Sequence, residues 1–400
     1  MDRRTFLRSA AVVGLGLAPL AAAAPEPPRV RRRVRLGRTG LQVADIGFGS
    51  SRLGDEPDLV RHALERGIDY FDTAESYTRG VAETTLGKAL RGVRHEVVLV
   101  SKLHAGASED SDTLMRRLEG SLRRLQTDHL DVVFNHAVND VERMANPGWG
   151  EFTERAREQG KIRWRGMSGH AGRLVECLDF AVDRDLVDVV LVAFNFGQDP
   201  GFTQRLTEGT DLVARQPDLP RVLGKARARD VGVVAMKTLR GARLNDLRPY
   251  ETGGATFAQA AFRWVLSQPF VDSLVVTMGS PEMVDEYLGA SGWTRPRAGD
   301  LTLLAAYERR NGATQCRYGC DACTASCPHG VPVADVLRTR MYASDYGDPQ
   351  LARDEYARLG AGAEACLSCA ERSCACPWGI PIAELTGPTH RLLARSPKAG

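Results

Sequence analysis

From about residue 33 onward the chain alternates short apolar runs with amphipathic stretches. The apolar runs fall at 45–49 (DIGFG), 69–72 (DYFD), 96–101 (EVVLVS) and 131–134 (DVVF), then at 162–168 (IRWRGMS), 187–194 (VDVVLVAF), 231–236 (VGVVAM) and 271–277 (VDSLVVT). Most are β-branched and lack polar alternation, as strands buried on both faces do. Between them, 58–66, 83–91, 111–125, 150–160 and 257–267 read as helices. Eight strands, each followed by a helix, predict an α/β fold, a (β/α)8 TIM barrel over residues 33–298. Residues 34–43, with Gly37 and Gly40 as turn residues, predict a hairpin closing the barrel floor.

In such a barrel the chemistry lies at the carboxyl ends of the strands. That rule selects Asp72 and Tyr77 after the second strand, Lys102 on the third and His136 on the fourth. Ser168, Asn195, Lys237 and Gly279 hold similar stations on strands five to eight. A phenol titrates far above neutral pH, so it needs help to release a proton. Lys102 is expected to lower the pKa of Tyr77, Asp72 to hold Lys102 charged, and His136 to hydrogen-bond a carbonyl oxygen. The set predicts a carbonyl that is polarised and protonated as a hydride arrives. Each residue alone has a structural use, as a turn cap, a packing aromatic or a core histidine. Their convergence on one mouth favours chemistry.

A formal net charge of +3 over 400 residues calls for no nucleic-acid or acidic-membrane partner. The basic run 29–38 alternates Arg with Val and predicts an edge strand with its charges outward rather than a binding arm. At the N-terminus, Arg3 and Arg4 precede an Ala-rich apolar stretch that runs to Ala24. Residues 1–24 read as a twin-arginine export signal, with cleavage after Ala23. The alternative, a membrane anchor, needs roughly 20 apolar residues, more than this stretch supplies. The expected location is periplasmic or extracytoplasmic, or cytoplasmic if the signal is not used, with no stable membrane insertion once it is removed.

Eight of the nine cysteines lie between residues 316 and 376. Cys316, Cys320, Cys323 and Cys327 precede Pro328, and Cys366, Cys369, Cys374 and Cys376 precede Pro377. Four close thiols ending in Cys-Pro, twice over, predict one or two [4Fe–4S] clusters in a C-terminal ferredoxin-like domain, 299–400. Zinc and disulfides are the alternatives, and the tight spacing argues against disulfides. Clusters imply single-electron traffic and a redox partner protein. They also suit an export route that carries folded proteins. Cys177, inside LVECLDFAV, reads as core.

The stretches 67–77 (GIDYFDTAESY), 83–90 (ETTLGKAL), 100–102 (VSK) and 131–136 (DVVFNH), with 37–43 (GRTGLQV) and 46–49 (IGFG), strongly resemble the aldo-keto reductases. The resemblance spans about residues 33–295, and the whole chain resembles the branch with a C-terminal ferredoxin-like domain. It implies Tyr77 as general acid, Lys102 and Asp72 as its support, and His136 as the substrate-orienting residue. It further implies a small-molecule carbonyl or alcohol substrate and NADP or NAD as hydride donor. In that family the nicotinamide is held by Ser and Asn after strand five, Gln on strand six and an aromatic on strand seven. Here Ser168 remains, but His170, Leu191 and Met236 stand at altered positions, and Lys237 follows. Leu239, Arg240 and Gly241, with Gly279 and Ser280 before the last helix, match the phosphate-binding part. No Lys or Arg in 281–288 marks a 2′-phosphate.

Likeness to two-cluster ferredoxins implies exchanged ligands: Cys316, Cys320, Cys323 and Cys376 for one cluster, and Cys366, Cys369, Cys374 and Cys327 for the other. Both spacings are irregular, with Arg372 where a ligand is expected. Two other readings stand beside the reductase: a cluster-dependent redox enzyme that no longer exchanges NAD(P), and an electron carrier with the barrel as scaffold.

Overall fold

The computed structural model describes residues 26–198, 218–240, 251, 254–311, 316–317, 320–344, 348–360 and 362–394. The proposed signal, 1–24, and Gly241 lie outside these. Eight parallel strands close into a barrel: β3 (Ile46–Gly49), β4 (Tyr70–Asp72), β5 (Val98–Leu103), β6 (Leu130–Asn135), β7 (Ile162–Gly169), β8 (Val189–Ala193), β9 (Gly232–Met236) and β10 (Ser273–Thr277). Strand β10 pairs with both β9 and β3, which completes the ring. The unbroken apolar runs are explained by their burial. Inward residues such as Tyr70, Val100, Phe134, Leu191 and Val234 pack within the barrel, and outward ones meet the helices.

The floor is the expected hairpin. Strands β1 (Arg33–Arg35) and β2 (Gln42–Ala44) pair antiparallel, and Val34, Leu36 and Val43 join the barrel interior. Arg33 and Arg35 point outward onto Asp69 and Asp230, so the basic run is a paired edge strand. Gly37 takes φ +48° with the backbone of Gly232 against it, where a Cβ would collide. Helices α1 (Pro57–Glu65), α2 (Val81–Ala89), α3 (Ser111–Leu125), α4 (Val141–Ala145), α5 (Pro147–Glu158), α6 (Leu174–Asp183), α7 (Leu219–Ala228), α8 (Phe257–Leu266) and α9 (Pro281–Leu288) follow the strands. Cys177 on α6 is fully buried, as its apolar setting suggests.

Packing is continuous across the expected boundary near residue 298. Helix α10 (Ala298–Asn311) packs on α8, and its Leu303, Leu304 and Tyr307 join the barrel's outer core. Arg263 on α8 grips Asp300 through two bonds of 2.7 and 2.8 Å, both side chains fully buried. Removing one partner of such a pair costs about 3–5 kcal/mol. The cysteine region proper has a separate apolar cluster, built on Val331, Val333, Leu337, Tyr356 and Ile382. Its helices are α11 (Val333–Ser344), α12 (Pro349–Ala357) and α13 (Ile382–Leu393). No helix among the described residues is long and apolar enough to cross a membrane.

Candidate active site and its cap

Asp72 ends β4, Lys102 lies near the end of β5, and His136 follows β6. Parallel registry sets these ends side by side, with Asp72 opposite Val100 and Lys102 opposite Phe134. The Lys102 ammonium is buried and donates to Asp72 Oδ1 at 2.6 Å and to the Thr73 carbonyl at 2.7 Å. It stands 3.4 Å from Tyr77 Oη and 4.7 Å from that ring's centroid. The His136 ring meets Tyr77 edge-on, centroids 5.7 Å apart. The four predicted residues therefore form one cluster.

Two local devices hold it. After Tyr77 the chain runs through φ values of 45° at Thr78, 57° at Arg79 and 88° at Gly80. Left-handed φ is costly for a β-branched residue, and such strain collects at functional sites. The Thr78 hydroxyl holds the turn by donating to the Leu53 carbonyl and accepting from Ala82 N–H. The His136 loop is clamped by the buried Arg143 guanidinium. It donates to the carbonyls of Ala105, His136 and Ala137 and to Asn135 Oδ1.

One sequence expectation is corrected here. The Tyr77 phenol, although beside the Lys102 ammonium, is not brought below its ordinary range: burial pushes it well above, and the charges of Asp72 and Glu355 add to this. Burial also lowers Lys102 and raises Asp72, each against the pull of its partner. His136 is pushed well below the ordinary imidazole range by burial, then by Lys102 and His170. A neutral imidazole donates a hydrogen bond but has no spare proton to give, and a phenol that holds its proton can deliver it when an alkoxide develops.

The cofactor stations are mixed. Ser168 Oγ accepts from Ala137 N–H at 3.0 Å, and both ends of the Asn195 amide are engaged, by the Lys237 carbonyl and Gly197 N–H. Leu191 is part of the barrel interior, and Met236 packs against it. Arg240 pairs with the buried Glu308 of α10, while Leu239 packs on the outer core. Ser280 caps α9 after Gly279, leaving a helix N-terminus beside β10. Buried polar atoms without a partner among the described residues include five at the strand ends: Ser50 Oγ, Asp72 Oδ2, Thr73 Oγ1, Thr238 Oγ1 and His170 Nδ1. A polar ligand would answer such groups, so the mouth fits a dinucleotide and substrate.

The cysteine region caps this mouth, which local sequence did not signal. Asp335 of α11 accepts from Gly172 N–H at 2.8 Å and from Asn139 Nδ2 at 3.1 Å. Arg317 donates to the Gly197 carbonyl and lies 3.4 Å from the Trp378 ring centroid. Tyr342 of α11 reaches Lys237. From α12, Glu355 acts on Tyr77 and Lys237, and Arg358 just beyond it on His104, His136 and His170.

None of the eight cap cysteines is in a disulfide. Among the described residues no group of three or more His, Cys, Asp or Glu is arranged to hold a metal ion. The thiols nevertheless act on each other in two sets. Burial pushes Cys316 up to about 11, with Cys320 and Cys376 contributing, and Cys323 up to about 12 under burial, Cys316, Cys376 and Cys320. Cys374 is pushed up to about 11 by burial and then by Cys327, Cys366 and Cys369. Arg372 turns the chain through φ 45° just before Cys374.

Residues 45–249 match the model of the aldo/keto reductase family. The chain belongs to that family. An uncharacterised oxidoreductase of Bacillus subtilis (strain 168), YrpG, is 31% identical over 251 residues, 56% of this aldo/keto reductase and 72% of that protein. L-galactose dehydrogenase of Arabidopsis thaliana is 24% identical over 280 residues, 64% of this chain and 86% of that one. Among solved structures, an aldo/keto reductase from Klebsiella pneumoniae in complex with NADP and acetate is 28% identical, with a TM-score of 0.52, covering 70% of this chain and 95% of that one. The family match lies in the barrel, and the cap is outside it.

Proposed function

We propose that this family member interconverts a small-molecule carbonyl and its alcohol, with Tyr77 as proton donor. The observation that carries the reading is the Asp72–Lys102–Tyr77–His136 cluster at the strand ends, its ion pair buried and its two rings half-buried. NADP or NAD, when bound, would supply the hydride. The Klebsiella pneumoniae relative solved with NADP supports this choice, as do the unpartnered polar atoms at the mouth. Ser168, Asn195, Lys237, Gly279 and Ser280 are the residues that would hold it. His136, neutral, donates to the carbonyl oxygen and orients it. Tyr77 delivers its proton to that oxygen, and Lys102 stabilises the charge the phenol then develops. Tyr77→Phe should abolish turnover while the far-ultraviolet circular dichroism stays unchanged; an unaltered rate would sink the mechanism.

The two thiol sets support the exchanged-ligand reading. Cys316, Cys320, Cys323 and Cys376 would hold one [4Fe–4S] cluster, and Cys327, Cys366, Cys369 and Cys374 the other. Bound clusters would exchange single electrons with a redox partner protein. The twin-arginine segment supports export, and cytoplasmic residence follows if that signal is not used.

One observation favours a second reading, a cluster-dependent enzyme that does not exchange NAD(P). Ser168 and Asn195 are tied into the protein, and Tyr342 bonds Lys237 beside the altered nicotinamide station. Titration with NADPH and NADH separates the two, since absence of binding to either leaves only the second.

A further inference from the structure

The two thiol sets of the cap differ in their surroundings. In the set Cys316, Cys320, Cys323 and Cys376, Cys316 and Cys323 are buried. This set is tied to the barrel: Arg317 donates to the Gly197 carbonyl after β8, and Asp335 of α11 accepts from Gly172 N–H and Asn139 Nδ2. In the set Cys327, Cys366, Cys369 and Cys374, all four are partly open to solvent. Leu367, between two of them, is 44% exposed, and Glu364, Glu371 and Arg372 beside them are exposed as well. The first set faces the barrel, and the second faces solvent.

Charge separates them further. Among the described residues, three buried guanidiniums and two buried carboxylates form linked ion pairs at the first set. Arg240 and Arg317 share Glu308, and Arg338 pairs with Asp335 at 2.9 Å. Arg338 also donates to the carbonyls of Arg317 and Cys320, inside the cysteine loop. One positive charge is left in surplus, and at an effective dielectric of about 20 it acts roughly fourfold more strongly than in water. Asp321, next to Cys320, is exposed and screened by water. At the second set the exposed Glu364 and Glu371 outnumber Arg372, a surplus of the opposite sign. Hydrogen-bond donors follow the same division. Trp378 N–H donates to Cys376 Sγ at 3.4 Å, and the Arg317 guanidinium lies 3.4 Å from the Trp378 ring centroid. Arg317 Nε and Trp378 Nε1 are buried donors with no acceptor among the described residues. The Arg317 charge interacts with Cys320, Cys376 and Cys316. The sulfur atoms of a cluster held there would answer both donors, so these residues fit such a group.

We propose that the first set is the receiving end of an electron relay, with Arg317, Arg338 and the Trp378 N–H raising the reduction potential of its cluster above that of the second. Such potentials follow net charge and hydrogen bonds to the sulfurs, and reduction adds one negative charge. Water aids reduction at the second set, but the surplus negative charge there opposes it. A low-potential one-electron carrier protein reduces the exposed set. The electron then passes on, oxidising the second cluster from its 1+ to its 2+ state and reducing the first from 2+ to 1+, with no bond or proton moved. It comes to rest beside the barrel. The relay rests on the cluster reading of the two thiol sets.

The test is a dithionite titration of the anaerobically purified holoprotein at controlled potential, followed by electron paramagnetic resonance. The first electron should favour one set over the other at least about tenfold, or about 59 mV for a one-electron couple. In Cys374→Ser the surviving signal should titrate at the higher of the two wild-type midpoints. Arg317→Gln should lower that midpoint by about the same tenfold step and leave the lower one in place. Glu308 keeps Arg240 as its partner in that variant, so no buried carboxylate is stranded. Arg317→Lys, which retains the charge, should titrate near wild type, a rescue that a purely structural role would not give. A gap below about tenfold, a Cys374→Ser signal at the lower midpoint, or an Arg317→Gln protein of full iron content with unmoved midpoints overturns the proposal. Metal counts keep the two readings apart. Wild type holding zinc, or no iron, ends the cluster reading and the relay with it, whereas full iron with equal midpoints ends the relay alone.

Discussion

Replacing Lys102 with Met tests how the buried site promotes proton transfer. The ammonium stands 3.4 Å from Tyr77 Oη, within a phenol environment that burial makes hostile to negative charge. At that distance and an effective dielectric of about 20, a full ammonium–phenolate attraction is worth about 5 kcal/mol. If the phenol oxygen carries about half a charge at the transition state, the contribution is about 2 kcal/mol, a rate factor of roughly 50. Asp72 adds little to the loss. Burial already raises its carboxyl, so it takes a proton once its partner is gone. Steady-state reduction of a reactive aromatic aldehyde, followed by NADPH absorbance, should show kcat lowered about 50-fold. The Asp72→Asn/Lys102→Met double variant should be no slower than Lys102→Met, because Asp72 acts through the ammonium. A folded Lys102→Met enzyme within about threefold of wild type would refute the electrostatic account.

Acid should destabilise the fold through its mouth. Burial holds His136 and His170 well below the ordinary imidazole range and pushes His104 down to about 4. The unfolded chain binds those protons near pH 6.5, so this stability is fully present above that value and is lost as pH falls toward 4. Urea midpoints at pH 7.5 and 5 should differ in that sense, and a flat profile would show the imidazoles are not held neutral. For the cap, anaerobic purification should yield about eight iron and eight sulfide per chain. Cys374→Ser should remove about half of each and leave the set containing Cys316 loaded; zinc in place of iron would end the cluster reading.

The barrel was legible because its signal is local. Each strand is an unbroken apolar run, and the strand-end rule then selects Asp72, Lys102 and His136 by position alone. Helix Ser111–Leu125 appears with the boundaries its periodicity gives. What was hidden depends on long-range docking. Nothing around Tyr342, in a helix reading VADVLRTRMYAS, marks a side chain that meets Lys237 from 105 residues away. Glu355 and Arg358 are equally silent, since a Glu and an Arg on a short helix read as a solvated face. The direction of the Tyr77 shift was missed for a related reason: motif reasoning sees the neighbouring ammonium but not the depth of burial.

The position of the cap in the chain gives the enzyme an order of maturation. The strand ends exist once the barrel closes, but Tyr342, Glu355 and Arg358, which follow the barrel in the chain, reach the mouth only after the cysteine region has been made and has docked. A truncated or unassembled tail would leave a complete barrel whose chamber is open to water and missing part of its wall. Docking of the cysteine region is therefore what completes the wall around the strand ends.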